Sequence, residues 1–167
     1  MKALGVFIAI ALALALQTTL TRFVVGGSAA VDLVLVAVVG VALTIGPVGG
    51  MLAGSAAGLI QDALSSGVIG IGGLAKTIVG FLAGAFGQQF IVTAALPRLV
   101  IFVAATVLHG AVFMGLYTVL DIREFQAPWK PLAAQALGNA LVGIIAFGII
   151  ESLPGAVERR RSRRGRR

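Results

Sequence analysis

Three side chains hold the chemistry available at membrane depth in this sequence: Asp62, Lys76 and His109. An acid, an amine and an imidazole can form an ion pair, share a polar network or relay a proton. His109 is the only histidine, and Thr106 stands one helical turn before it. One histidine cannot build a zinc site, and the absence of cysteine excludes disulfides, thiolate chemistry and cysteine-ligated metals. No two-histidine metal motif, G-x-S-x-G elbow or phosphate-binding Walker loop is present. An intramembrane aspartyl protease would need a second acid beside Asp62, and none is evident. The chemistry points to a protein that is not an enzyme, with no cofactor and no metal implied.

The elements that must position these residues are membrane helices. Of the 167 residues, 59% are hydrophobic and only 11% charged. A soluble domain carries about 25% charged residues, so a water-facing surface cannot be built from this composition. A span needs about 20 apolar residues, and six candidate segments appear. They run Ala3–Val25, Val31–Ile45, Pro47–Leu64, Ile71–Val92, Leu96–Leu120 and Pro131–Leu153. The breaks are Gly26-Gly27-Ser28, Gly46-Pro47, Ser65-Ser66-Gly67, Pro97 and the polar stretch Asp121 to Lys130, where turn residues or charges cluster. The second segment would cover only about 23 Å at 1.5 Å per residue, so the second and third segments read as two short spans or as a re-entrant pair. The N-terminus imitates a signal peptide, with Lys2, an apolar run and Ala13-Leu14-Ala15. The run continues to Val25, which favours a retained span.

Charge sets the orientation. Seven of the thirteen basic residues fall within Arg159 to Arg167. With six spans and both ends cytoplasmic, the inside holds Lys2, Arg98 and those seven. The outside holds Arg22, Arg123 and Lys130. Five spans with the N-terminus outside is the rival topology. Residues 1–153 thus read as one transmembrane helical domain, and 154–167 as a basic cytoplasmic tail. Arg159, Arg160, Arg161, Arg163 and Arg164 would anchor that tail to anionic lipid. A nucleic-acid role would need an accompanying domain, and none is visible.

Small residues recur each turn in the third and fourth segments. Gly46, Gly50, Gly54, Gly58 and Asp62 share one face; so do Gly72, Lys76, Gly80, Gly84 and Gln88. Lipid gives helices no hydrophobic reason to associate, whereas glycine lets backbones approach closely. These two helices are expected to pack tightly, against each other or against neighbours. Two readings of the charges stay open. Asp62 and Lys76 pair or share a network across the third–fourth contact; or Asp62 caps the outer end of its helix while Lys76 reaches a loop carbonyl. His109 reads as hydrogen-bonded within the bundle. In the sixth segment Gln135, Asn139 and Gly143 repeat every four residues as a polar ridge that joins helices or faces a partner. Asp121, Arg123, Glu124, Trp129 and Lys130 read as a solvated loop with an interfacial tryptophan.

The stretch Gly46 to Gly84 resembles the signature region of the MreD family of rod shape-determining proteins. It carries Gly58-Leu59-Ile60-Gln61-Asp62, then Ala63-Leu64-Ser65-Ser66-Gly67, Gly70-Ile71-Gly72-Gly73-Leu74 and Gly80-Phe81-Leu82-Ala83-Gly84. This is the order G-L-x-x-D-x-x-S, a short glycine loop, then L and G-[FY]-L-x-G. Ala30-Val31-Asp32-Leu33-Val34-Leu35 resembles the family's P-D-L-x-L start to the second span, with Val31 where proline is expected. The resemblance implies an all-α, polytopic bundle of about six spans in the bacterial inner membrane, similar to the substrate-binding subunits of energy-coupling vitamin importers. It implies a non-enzymatic scaffold of the cell-elongation complex that docks the transmembrane helix of MreC. RodA and a class B penicillin-binding protein would stand beside it, with MreB linked indirectly. The alternative is a small-molecule-binding subunit of an importer. A third class is a proton-coupled transporter using Asp62, Lys76 and His109.

Overall fold

A computed structural model describes residues 2–21, 31–65, 67–89, 95–123, 125 and 129–164, with side chains described for 4–19 and 31–150 within those ranges. Six helices follow one another: α1 (Lys2–Thr21), α2 (Leu33–Ile45), α3 (Pro47–Leu64), α4 (Ile71–Gln89), α5 (Ala95–Val119) and α6 (Trp129–Arg164). No strand occurs among the described residues. The third helix has the expected bounds. The sixth starts two residues early because Pro131 falls in its first turn, where a missing N–H costs nothing. It also runs past Leu153 to Arg164, through Pro154-Gly155, which disfavour a helix, and on into Ala156 and the Glu158-to-Arg164 stretch, rich in residues that favour one. The boundary expected at 153/154 therefore lies inside one helix.

Three helical stretches are long and apolar enough to cross a membrane: Ile71–Gln89, Ala95–Val119 and Trp129–Ile150. Leu4–Thr19 and Leu33–Ile45 are shorter apolar helices. Glycines, Gln61 and Asp62 dilute the apolar character of α3. Among the described residues, length and composition alone thus give three of the six expected spans.

Helix α2 is the centre. It touches all five others, and Val34, Leu35, Val36, Val38, Val39, Val41 and Ala42 are all buried. A helix apolar on every side is one surrounded by protein. Its Leu35, Val36, Val39 and Ala42 pack with Val79 and Ala83 of α4, Phe102 and Ala105 of α5 and Ala140 of α6. Its Val34 and Val38 meet Ala13 and Leu14 of α1 and Ala57 of α3.

Helices α3 and α4 run antiparallel, with their glycine faces pressed together. A Cβ on Gly50 would strike the Gly80 carbonyl, and one on Gly80 would strike that of Gly50. One on Gly58 would sit 2.5 Å from the Gly73 Cα, and one on Gly84 would sit 2.5 Å from the Pro47 nitrogen. A Cβ on Gly54 would lie 2.6 Å from the Lys76 carbonyl carbon. A Cβ on Gly72 would collide with the Asp62 carboxylate. The two ridges thus occupy each other, and α2 covers the seam with Val38 and Ala42.

Because backbone rather than a mobile side chain blocks the space, Gly54→Ala should lower stability by about 1–3 kcal/mol. Gly115→Ala, with nothing within 4 Å of its Cβ, should leave stability unchanged or slightly raised. Thermal unfolding of the two variants in detergent checks this; equal midpoints would refute the contact.

Candidate functional site: a buried polar cluster at the start of α2

Helix α2 has only 13 residues, so its first turn begins inside the bundle. Its amide groups there have no helical partner and no water. Side chains from two other helices and its own cap answer them. The Asp32 N–H donates to Asn139 Oδ1 of α6 at 2.7 Å. The Leu33 N–H donates to Gln17 Oε1 of α1 at 2.8 Å. Asp32 Oδ1 accepts the Leu35 N–H at 2.9 Å, an N-cap bond. Gln17 Nε2 then donates to the Val31 carbonyl at 3.2 Å.

The same aspartate holds the buried charge. Lys76 Nζ of α4 lies 2.9 Å from Asp32 Oδ2, and the two residues are 3% and 5% exposed. Lys76 Nζ also lies 3.1 Å from His109 Nε2 of α5. An ammonium is only a donor, so Nε2 accepts and the ring hydrogen sits on Nδ1. Asn139 Nδ2 donates to Thr106 Oγ1 at 3.0 Å, and Thr106 donates to the Phe102 carbonyl at 2.8 Å. One continuous network therefore ties α1, α2, α4, α5 and α6. It offsets the cost of a charge in an apolar bundle by pairing it. From His109 an aromatic column rises along α5. Phe113 stacks on the imidazole at 5.8 Å, Tyr117 follows at 4.7 Å, and Phe125 meets Tyr117 edge-on at 6.0 Å.

Asp62 belongs elsewhere. Its Oδ2 accepts the Gly70 N–H at 2.8 Å and the Gly73 N–H at 3.0 Å, so it caps the start of α4. Tyr117 Oη accepts the Val68 N–H at 3.2 Å and closes the same turn against α5. Asp62 and Lys76 do not pair. In the antiparallel register Lys76 stands level with Gly54 and Asp62 with Gly70 to Gly73, about 12 Å apart along the helix at 1.5 Å per residue. Nor does Lys76 reach a loop carbonyl, since its partners are Asp32 and His109. Of the other expected site residues, Asn139 and His109 enter the cluster; Gln135 is half-buried and stands outside it. The side chains of Arg159, Arg160, Arg161, Arg163 and Arg164 lie outside the described residues. Asp32 and Gln17 were missed as site residues. The signal for Asp32 was present: an aspartate directly before an apolar run marks a helix start.

Among the described residues no group of three His, Cys, Asp or Glu could hold a metal ion. The arrangement binds its own helices together; it presents no nucleophile–base pair. A family model for the rod shape-determining protein MreD matches residues 1–150. The chain belongs to the MreD family. No curated protein and no solved structure matches, so the likeness to importer subunits gains no support from a known fold. MreD proteins act in rod-shape determination, are associated with the MreB–MreC shape complex and are not a known enzyme family. With its long apolar helices, this MreD-family chain is a membrane protein.

Lys76→Met should destabilise the bundle by about 3–5 kcal/mol, because it strands a buried carboxylate. Asp32→Asn added to it should restore much of that loss, since the amide keeps the cap bond to Leu35. Asp62→Ala should cost about 1–3 kcal/mol by orphaning two amides and should add to Lys76→Met without coupling. Thermal unfolding of the singles and doubles in one detergent checks both cycles. Coupling of Lys76 to Asp62 instead of Asp32 would overturn the assignment.

Proposed function

We propose that this chain is a non-enzymatic inner-membrane scaffold of the bacterial cell-elongation complex, docking the transmembrane helix of partners such as MreC. The observation that carries the reading is that the cluster spends its charged and hydrogen-bonding groups on one another. Such a core holds shape and has no group aimed at a substrate. The glycine ridges are likewise spent on the α3–α4 contact, the first of the two expected alternatives, and so are not where a partner helix docks. Docking instead uses outward apolar faces, of which Leu137, Leu141, Ile145 and Ile149 on α6 are one exposed row. RodA and a class B penicillin-binding protein are further partners, with MreB reached indirectly.

In this reading the chain crosses the membrane six times. Helix α3 is zipped to α4 along its length, so it crosses wherever α4 crosses. Helix α2 is sheathed by the others, so its short length is served by protein rather than lipid. Both ends are cytoplasmic, and residues 154–167 form a basic arm against anionic lipid. The importer reading needs a polar pocket for a water-soluble ligand. Two cavities along α5 are lined by aliphatic, proline and aromatic side chains, which does not favour it.

Affinity purification of the tagged chain in mild detergent is expected to bring down MreC, in wild type and in Gly115→Ala alike. Recovery of an ATPase module in place of MreC would overturn the scaffold and favour the importer subunit.

A further inference from the structure

Five helices pack around α2, and they do not close on themselves. Going round it, α1 touches α3, α3 touches α4, α4 touches α5 and α5 touches α6. Among the described residues α6 and α1 do not touch. A helix whose neighbours stand about 8–10 Å away has room for about six of them. The ring around α2 holds five, so the gap between α6 and α1 is about one helix wide.

The burial of α2 marks the same gap. Leu33, Ala37 and Gly40 are half-buried and Thr44 is exposed. At about 100° per residue these four share one narrow face. Phe147 of α6 borders it on one side, 3.8 Å from a Cβ built on Gly40. Ala13 and Leu14 of α1, packed with Val34, border it on the other. On α6 the exposed Leu137 and Leu141 lie about 80–120° round from Phe147, away from Gly143 and its α5 neighbour Phe102, and so form the wall of the gap.

Lipid does not suit this face. Asp32 meets Lys76, five residues after the start of α4 at Ile71, so α2 begins about 8 Å below that end of the bundle. Backbone that enters a helix at membrane depth has to be covered by protein. With 13 residues α2 is about 20 Å long, too short to face a hydrocarbon core of about 30 Å. A neighbouring helix is the cover that fits the width of the gap, and Ala37 and Gly40 let its backbone come close.

We propose that one transmembrane helix of a single-span partner occupies the α1–α6 gap and completes the ring around α2. The inference rests on the scaffold reading and names the face that reading uses. The partner helix lies on Ala37 and Gly40, between α1 and the Leu137–Leu141 wall of α6.

Co-purification of epitope-tagged MreC with the full chain tests the site. Gly40→Leu puts a branched side chain into the gap and should cut MreC recovery about tenfold. Val107→Phe, on an exposed part of α5, should leave recovery at the wild-type level. A photoreactive residue at Ala37 in intact membranes should cross-link to MreC, which decides the matter even where Gly40→Leu fails to fold. Undiminished recovery in folded Gly40→Leu would overturn the gap as the docking site and leave the scaffold reading standing. Cross-linking at Ala37 to phospholipid or to a second copy of this chain would do the same. A wild-type chain that recovers no MreC would overturn both.

Discussion

The fold depends on starting a helix where there is no water. The first amides of α2 point into an apolar bundle, and each one left unanswered would cost several kcal/mol. Asp32 answers one with its own carboxylate and presents its N–H to Asn139, while Gln17 takes the next. That solution brings a negative charge inside, which in turn demands Lys76. The carboxylate also sits at the positive end of the α2 dipole. Lys76 then needs a second acceptor, and His109 supplies a neutral nitrogen. Each residue of the cluster follows from the one before it, beginning with the decision to bury a helix N-terminus.

Two kinds of contact divide the work of holding this bundle. The glycine faces of α3 and α4 bring backbones together without directional bonds, so they set distance. The polar cluster sets register, because a one-residue slip of α4 would turn Lys76 by about 100° away from Asp32. The cluster sits on the elements the zipper leaves free: α1, α5 and α6 join α2 and α4, while α3 contributes Asp62 only to the turn beside it. Close packing and polar bonding are therefore arranged in series, with α4 common to both. A side chain added to the zipper would move Lys76 as well as separate two helices.

Much of the architecture was legible in the sequence because lipid imposes simple rules. Long apolar runs between glycine, proline and charge marked all six helices, and the four-residue glycine period marked the α3–α4 contact. The pairing of the charges was not legible. Asp62 and Lys76 lie on matching faces, which suggests a partnership, but the antiparallel register offsets them by two turns. Register is a property of both helices and the turn between them, and no spacing within one helix encodes it. Asp32 was hidden by its place at a segment edge, where an acid ordinarily looks solvated. Only knowing that α2 is surrounded by other helices shows that its edge is an interior. Likewise α6 continues beyond the expected end at Leu153, through Pro154-Gly155 and into the arginine run, since arginine and glutamate extend a helix about as readily as leucine.

The fate of the polar residues is what favours the proposed scaffold reading over one in which the protein moves or binds a solute. A helix N-terminus at membrane depth is a ready site for an external anion. Here the chain fills that place with its own carboxylate and then neutralises the carboxylate with its own lysine. Opening the site to a ligand would require breaking a buried ion pair and exposing four hydrogen-bonding partners on four helices. Such a core resists deformation, a property that suits the scaffold role proposed for the chain. Among the described residues the groups of this cluster are satisfied from within, and the exposed apolar rows lie on the outer surface.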